Sequence, residues 1–327
     1  MPANLTPDYK KAEERYREAG TTEEKILALE EMMRLIPKHK GTEHLRADLK
    51  RRLSKLRETP QQKAGGKRVD VFHVPKSGAG QVVLLGMPNS GKSALVGALT
   101  NAKVHVSDFP FATHAPVPGM VHYQDVPIQL VDMPPITADF VAPGQVGTYR
   151  HADMIGLVID LSGDIEEQWQ VGIDYLESKS LITQENAFTR DEHGNSLTKP
   201  FFCLGTKVDL AGEGLLDLLA ESTVYRCEFL ELSTSGGPGL EGFPEKLFDW
   251  LKIVRIYAKP PGKPADMKDP FTLAIGATVH DLARLIHREL ADKLKTARCW
   301  GGGVHDGQNV HLTHVLHDRD VVELHFT

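Results

Sequence analysis

The run Gly86-Met87-Pro88-Asn89-Ser90-Gly91-Lys92-Ser93 follows the apolar stretch Gln81-Val82-Val83-Leu84-Leu85 and has G-x-x-x-x-G-K-[ST] spacing. Such a segment restricts the fold severely, because a strand must enter a tight turn whose backbone N–H groups converge on an anion, and a helix must leave it. The helix is expected from Ala94 to Thr100. Gly86, Asn89, Ser90, Gly91, Lys92, Ser93 and Ala94 are the residues expected around a bound polyphosphate. Lys92 supplies a point charge for the terminal phosphates, and Ser93 a hard oxygen for a magnesium ion (Mg2+) bridging them.

The chain has 327 residues, a formal net charge of −6 and three cysteines, Cys203, Cys227 and Cys299. The length allows more than one core, and the net charge argues against a wholesale nucleic-acid binder. Cysteines so far apart and odd in number suit buried reduced thiols better than a disulfide or metal framework. No apolar run reaches membrane-spanning length and the first residues are polar, so the expectation is a cytoplasmic protein without membrane contact.

Three regions are expected: 1–78, 79–252 and 253–327. In the first, residues 7–58 read as a hairpin of two helices broken at Ile36-Pro37-Lys38-His39-Lys40-Gly41, where Pro and Gly end one helix and Thr42 can cap the next. The second arm is basic, with Lys38, Lys40, Arg46, Lys50, Arg51, Arg52, Lys55 and Arg57. The middle region alternates β-rich runs (Val82–Leu85, Ile128–Val131, Met154–Ile159, Phe201–Leu204, Phe229–Leu232) with helical segments, which means an α/β fold with a mostly parallel sheet. After the Pro/Gly-rich segment 259–264, a long helix from Val279 to Leu294 is expected to pack on a small mixed sheet.

Further elements come in a telling order. Asp132 ends an apolar strand, where a carboxylate of the magnesium shell belongs. The loop Phe109-Pro110-Phe111-Ala112-Thr113-His114 can bring Thr113 onto the metal when a γ-phosphate is present, as a switch does. In Thr206-Lys207-Val208-Asp209, Asp209 can accept hydrogen bonds from guanine N1–H and its exocyclic amine while the Lys207 stem packs on the base. Ser233 and Thr234, after the last strand, can present a backbone N–H to guanine O6. The metal set is then Ser93, Thr113 and Asp132, with Lys92, Thr113 and Asn89 beside the reacting phosphate. Asp209 disfavours an ATPase.

These motifs, with Lys40-Gly41-Thr42-Glu43-His44-Leu45, Leu53-Ser54-Lys55-Leu56-Arg57, Phe109 to Gly119 and Val254-Arg255-Ile256-Tyr257-Ala258-Lys259-Pro260, resemble the Obg/Drg GTPases, most closely the Drg branch. The resemblance covers nearly the whole chain. It implies a P-loop GTPase (G) domain between an N-terminal helical hairpin and a C-terminal TGS domain, a ubiquitin-like β-grasp module. It also implies GTP/GDP binding and action on or near ribosomes or RNA.

Departures from the family bear on mechanism. The family's Gly that donates a backbone N–H to the γ-phosphate is replaced by Pro135, which has none, and a neighbouring N–H is the alternative donor. Ile136 stands where many GTPases place a water-orienting Gln and cannot hydrogen-bond water. Asn89 either ligates potassium (K+), as in related GTPases with Pro-Asn-x-Gly-Lys-Ser loops, or stabilises the loop. The alternative to a slow GTPase is therefore a nucleotide-dependent binding module with negligible turnover. Thr206 replaces the commoner Asn but keeps a hydroxyl. The interval 160–200 is too short for the inserted domain that Drg proteins often carry. His311, His314 and His317 recur every third residue, which could suggest metal, but without a Cys cluster beside them they are expected as surface histidines; His114, beside Thr113, is expected as a solvated loop residue rather than a base for the attacking water. The basic arm, and Trp300 beside Gly301-Gly302-Gly303, are RNA-contact candidates.

Overall fold

The computed structural model describes residues 7–18, 22–36, 49–51, 71–102, 115–137, 141, 144–185, 198–236, 239–289 and 291–326. The chain divides into two units, Met1–Val69 and Asp70–Thr327.

In the first unit, helices α1 (Pro7–Glu18) and α2 (Thr22–Leu35) pack against each other. The expected first arm thus contains two helices rather than one. Its small core joins Tyr9, Ala12, Leu29, Met32 and Ile36 to Leu49 of the next segment. A bridge from Arg15 Nη1 to Glu31 Oε2 at 2.9 Å crosses the exposed side, where it contributes little. Of the basic arm, Lys50 and Arg51 are described and exposed; the other six basic positions lie outside the described residues.

The second unit holds two sheets. In the larger, β1 (Gln81–Leu85), β2 (Val117–Tyr123), β3 (Val126–Asp132), β4 (Met154–Asp160), β5 (Phe201–Thr206) and β6 (Glu228–Glu231) lie in the order β2-β3-β1-β4-β5-β6. All pairs are parallel except β2 with β3. Helices α3 (Lys92–Leu99), α4 (Gln145–His151), α5 (Ile165–Ser178), α6 (Val208–Ala211), α7 (Leu215–Ser222) and α8 (Phe243–Trp250) complete it. Every residue of β1 is buried. Val83 and Leu85 face a layer with Ile155, Leu157, Trp169 and Leu176, whereas Val82 and Leu84 face Leu95, Val96, Phe202 and Phe243. Burial on both faces explains why the strand reads as a continuous apolar run.

The smaller sheet consists of β7 (Ile253–Ala258), β8 (Phe271–Ala274), β9 (Leu294–Trp300), β10 (Gln308–Val310) and β11 (Asp320–Phe326), in the order β10-β9-β11-β7-β8. Against it lies α9 (Val279–Ile286), opened by a capping box between Thr278 and Asp281. The helix expected to reach Leu294 stops eight residues earlier. His287 is extended (φ −149°, ψ 96°), and Leu294 opens β9 in register with Phe326. The apolar spacing runs on past Ile286, but sheet pairing claims its far end.

The turn between β2 and β3 meets the smaller sheet through Arg255, whose side chain is 2% exposed. Arg255 pairs with Asp125 Oδ1 at 2.9 Å and Asp318 Oδ1 at 3.0 Å, and its Nη1 donates to Gln124 Oε1 at 2.7 Å. Its guanidinium carbon lies 4.7 Å from the Phe248 ring centre and 5.4 Å from that of Tyr123. The Tyr257 hydroxyl donates to Asp125 Oδ2 at 2.5 Å. Burial raises the Asp125 pKa, yet hydrogen bonds from Tyr257 and Arg255 outweigh it and hold the carboxyl below its ordinary value. Replacing Arg255 by Met should destabilise this unit by about 2–3 kcal/mol, less than the full cost of breaking a sealed pair because both carboxylates retain water contact. Tyr257→Phe should cost about 1 kcal/mol. Urea unfolding curves of the variants check both values.

Candidate functional site

The phosphate-loop sequence lies at the C-terminal end of β1, flanked by the ends of β3, β4 and β5. Two features require glycine. A Cβ on Gly86 would stand 2.4 Å from the Val158 carbonyl oxygen and 2.7 Å from Ser90 Oγ, and Gly91 has φ +90° with Thr206 against it. Asn89 also adopts a positive φ, 63°, which Asn tolerates better than most residues. The loop therefore folds tightly, and α3 starts at Lys92 itself, two residues ahead of the expected start.

Lys92 is 5% exposed. Its Nζ donates to the carbonyls of Gly86 (3.0 Å) and Met87 (2.8 Å) and to Ser90 Oγ (3.1 Å). Burial lowers its pKa to about 8, only partly opposed by the negative charge of Asp132. Ser93 Oγ donates to Asp132 Oδ2 at 2.5 Å, so a hydroxyl from α3 and a carboxylate from β3 stand side by side as hard oxygen donors. Thr113, His114 and the loop containing them lie outside the described residues.

The second cluster is attached directly to the first. The Thr206 hydroxyl, at the end of β5, lies 2.7 Å from the Ser90 carbonyl and 3.2 Å from that of Ile159. Lys207 follows with φ 61°, turning the chain so that Asp209 lies exposed in the first turn of α6. Lys207 Nζ donates to Asp160 Oδ2 at 2.6 Å. Burial pushes the Asp160 carboxyl up, but Lys207 and Ser162 donate to it and bring it below its usual range. Asp160 was missed by the motif reading, although it ends the apolar run of β4 as Asp132 ends that of β3. Ser233 is fully buried just beyond β6, its Oγ accepting from the Ser235 N–H at 3.1 Å, with Thr234 half-buried beside it.

Pro135 and Ile136 follow β3. Ile136 is fully buried among Met133, Tyr149 and their neighbours, and its N–H donates to the Gly86 carbonyl at 3.2 Å. Its side chain therefore packs in the core rather than standing where an attacking water would be. Replacing Thr206 by Val keeps the shape but removes the hydroxyl tie to the loop; a loss of about 1–2 kcal/mol is expected, read from thermal unfolding of the variant.

Among the described residues no helix is long and apolar enough to cross a membrane. Residues 81–188 match the family model described as 50S ribosome-binding GTPase, and residues 254–326 match the TGS domain. An uncharacterised GTP-binding protein of Methanocaldococcus jannaschii is 28% identical over 92% of this chain and 92% of its own length. Developmentally-regulated GTP-binding protein 2 homolog of Dictyostelium discoideum is 29% identical over 92% of this chain and 98% of its own. Ribosome-interacting GTPase 1 of Saccharomyces cerevisiae is 28% identical over 93% and 99%. With the motifs, the sheet order and these relatives together, the chain carries a GTPase domain followed by a C-terminal TGS domain, and over nearly its whole length it is similar to the developmentally-regulated (Drg) GTP-binding proteins.

Proposed function

We propose that the chain binds GTP and GDP between the 86–94 loop and the 206–209 and 233–234 segments, hydrolyses GTP slowly to GDP and phosphate, and couples nucleotide state to ribosome or RNA contact. The observation that carries this reading is the 2.7 Å contact between Thr206 Oγ1 and the Ser90 carbonyl. It ties the segment suited to guanine directly to the loop suited to its phosphates.

On phosphate arrival, Lys92 Nζ exchanges the two neutral carbonyls and the hydroxyl for charged phosphate oxygens, which restores the ammonium's preference for its proton. Backbone N–H groups of Asn89 to Ala94 orient the remaining oxygens. Ser93 and Asp132 suit magnesium, which when bound neutralises charge shared by the β- and γ-phosphates. Asp209, exposed and acceptor-only, reads the guanine edge, while the Lys207 stem, anchored by Asp160, covers the base. Attack by water in line with the leaving oxygen needs no covalent intermediate. Asn89 is the candidate potassium ligand.

The competing reading, a nucleotide-dependent binding module with negligible turnover, is favoured by one observation: Pro135 has no N–H and that of Ile136 is already engaged by Gly86. Ribosome contact is supported by the family description and by the name of the yeast relative. Multiple-turnover phosphate release, in potassium and in sodium and with and without ribosomes, decides between the two readings. Turnover accelerated by ribosomes or potassium supports the first, and GTP remaining intact under every condition supports the second.

Two variants test the site itself. Asp209→Asn should weaken GDP binding at least about a hundredfold and shift preference toward the xanthine nucleotide, since one acceptor oxygen becomes an NH2 donor that meets xanthine's carbonyl but not guanine's amine; competition binding measures it. Because the folded-state pKa of Lys92 is depressed to about 8, the free protein is largely protonated there at pH 7 and largely deprotonated at pH 9. A bound phosphate raises that value, so nucleotide binding should take up about half a proton at pH 8 and close to none at pH 7. Calorimetry in buffers of different ionisation enthalpy reads the uptake, and Lys92→Ala should abolish it.

A further inference from the structure

The TGS domain brings together three side chains that the nucleotide site does not use. Cys299 lies on β9, His314 in the loop before β11, and Asp320 at the start of β11. One ligand atom from each falls within 4.8 Å of the other two. Cys299 and Asp320 are fully buried, and His314 is half-buried. The sequence expectation of scattered surface histidines holds for His311 and His317, both exposed. His314 differs because its loop folds inward: its carbonyl accepts from the Val279 N–H at 3.0 Å, and the Leu316 N–H donates to the Ala277 carbonyl at 2.9 Å.

The cluster is anchored. Asp320 accepts from the Gly302 N–H at 2.9 Å through Oδ1 and from the His317 N–H at 2.8 Å through Oδ2. Gly301 lies against it with φ +146°, and a Cβ there would come within 2.1 Å of Asp320 Oδ1. The Gly-rich turn after Trp300 therefore wraps a carboxylate. His314 Nε2 is sealed from solvent and has no hydrogen-bond partner among the described residues. A buried ring nitrogen left unpaired is costly unless something accepts a proton from it or takes its lone pair. His317 Nδ1 stands 3.8 Å from Asp320 Oδ2 on the solvent side, within reach as a fourth donor.

We propose that Cys299, His314 and Asp320, with His317 or water completing a tetrahedron, form a structural site for a borderline-soft divalent cation, zinc above all. A thiolate with an imidazole and a carboxylate is a zinc donor set; magnesium and calcium call for oxygen ligands alone. The site would clamp the 301–319 connection onto the β9–β11 pair. Without metal, burial and the neighbouring Asp320 push the Cys299 thiol up to about 12, and the S–H donates to that carboxylate. On metal binding the S–H bond breaks, the proton passes to solvent, and an Sγ–metal bond forms.

The test uses the full chain, stripped with a chelator and titrated with cobalt(II) as a spectroscopic probe and with zinc. Wild type should give a thiolate-to-cobalt charge-transfer band, intense visible bands of tetrahedral cobalt, and one zinc per chain with a raised melting temperature. Cys299→Ser should remove the charge-transfer band although Cys203 and Cys227 remain, and His314→Gln should weaken zinc binding at least tenfold. If Cys299→Ser fails to fold, His314→Gln decides. Absence of a charge-transfer band in wild type, or zinc affinity and melting shift unchanged in His314→Gln, overturns the proposal.

Discussion

An ammonium group held almost out of water sets the terms for the nucleotide site. The three N–H bonds of Lys92 go to the Gly86 and Met87 carbonyls and to Ser90 Oγ, so its hydrogen-bonding capacity is met while its charge is not. Neutral acceptors do not repay the loss of hydration that a buried cation suffers. That shortfall is why its proton is held loosely, and why an anion is the ligand that relieves it. The same constraint accounts for the loop's other residues: Gly86 admits Val158 and Ser90 at distances that a Cβ forbids, and Gly91 lets Thr206 close over the loop.

Another deeply buried cation, Arg255, shows the contrast. Arg255 is as inaccessible as Lys92 but has two carboxylates, an amide oxygen and two aromatic faces of its own. It lacks nothing that a ligand could provide, and its work is to join the β2–β3 turn to the TGS sheet. Similar burial thus has opposite meanings, decided by whether the counter-charge is built in.

Much of this was legible in the sequence because the signals were local. The apolar runs located β1, β3, β4 and β5 to within two residues at each end, since strands buried on both faces leave little ambiguity. Strand β2 escaped notice because Val117 to Tyr123 contains a Pro and a Gly and sits at the sheet edge, where both are tolerated. The overlong helix after Val279 failed for a non-local reason: Leu294 fits a helical stripe equally well, and only pairing with Phe326 assigns it to a strand. Asp160 and the Cys299–His314–Asp320 cluster depend on contacts between segments far apart in sequence, which spacing cannot display.

The β2–β3 hairpin runs from the neighbourhood of Lys92 to Arg255. Its open end places Asp132 opposite Val117, and its closed end pairs Tyr123 with Val126 across the Gln124-Asp125 turn that holds Arg255. The register runs through seven consecutive pairs without a bulge, a ladder roughly 20 Å long. A continuous ladder resists internal slippage, because a shift of one residue would turn every buried side chain to the wrong face. On its other side β3 pairs with β1, Gln129 to Asp132 against Gln81 to Leu84, so the hairpin fixes the spacing between the Asp132 end and the turn that grips Arg255. Just beyond that end Pro135 has no N–H to offer and the Ile136 N–H is held by the Gly86 carbonyl, so a γ-phosphate there finds a backbone donor only if the Ile136 N–H exchanges one acceptor for the other.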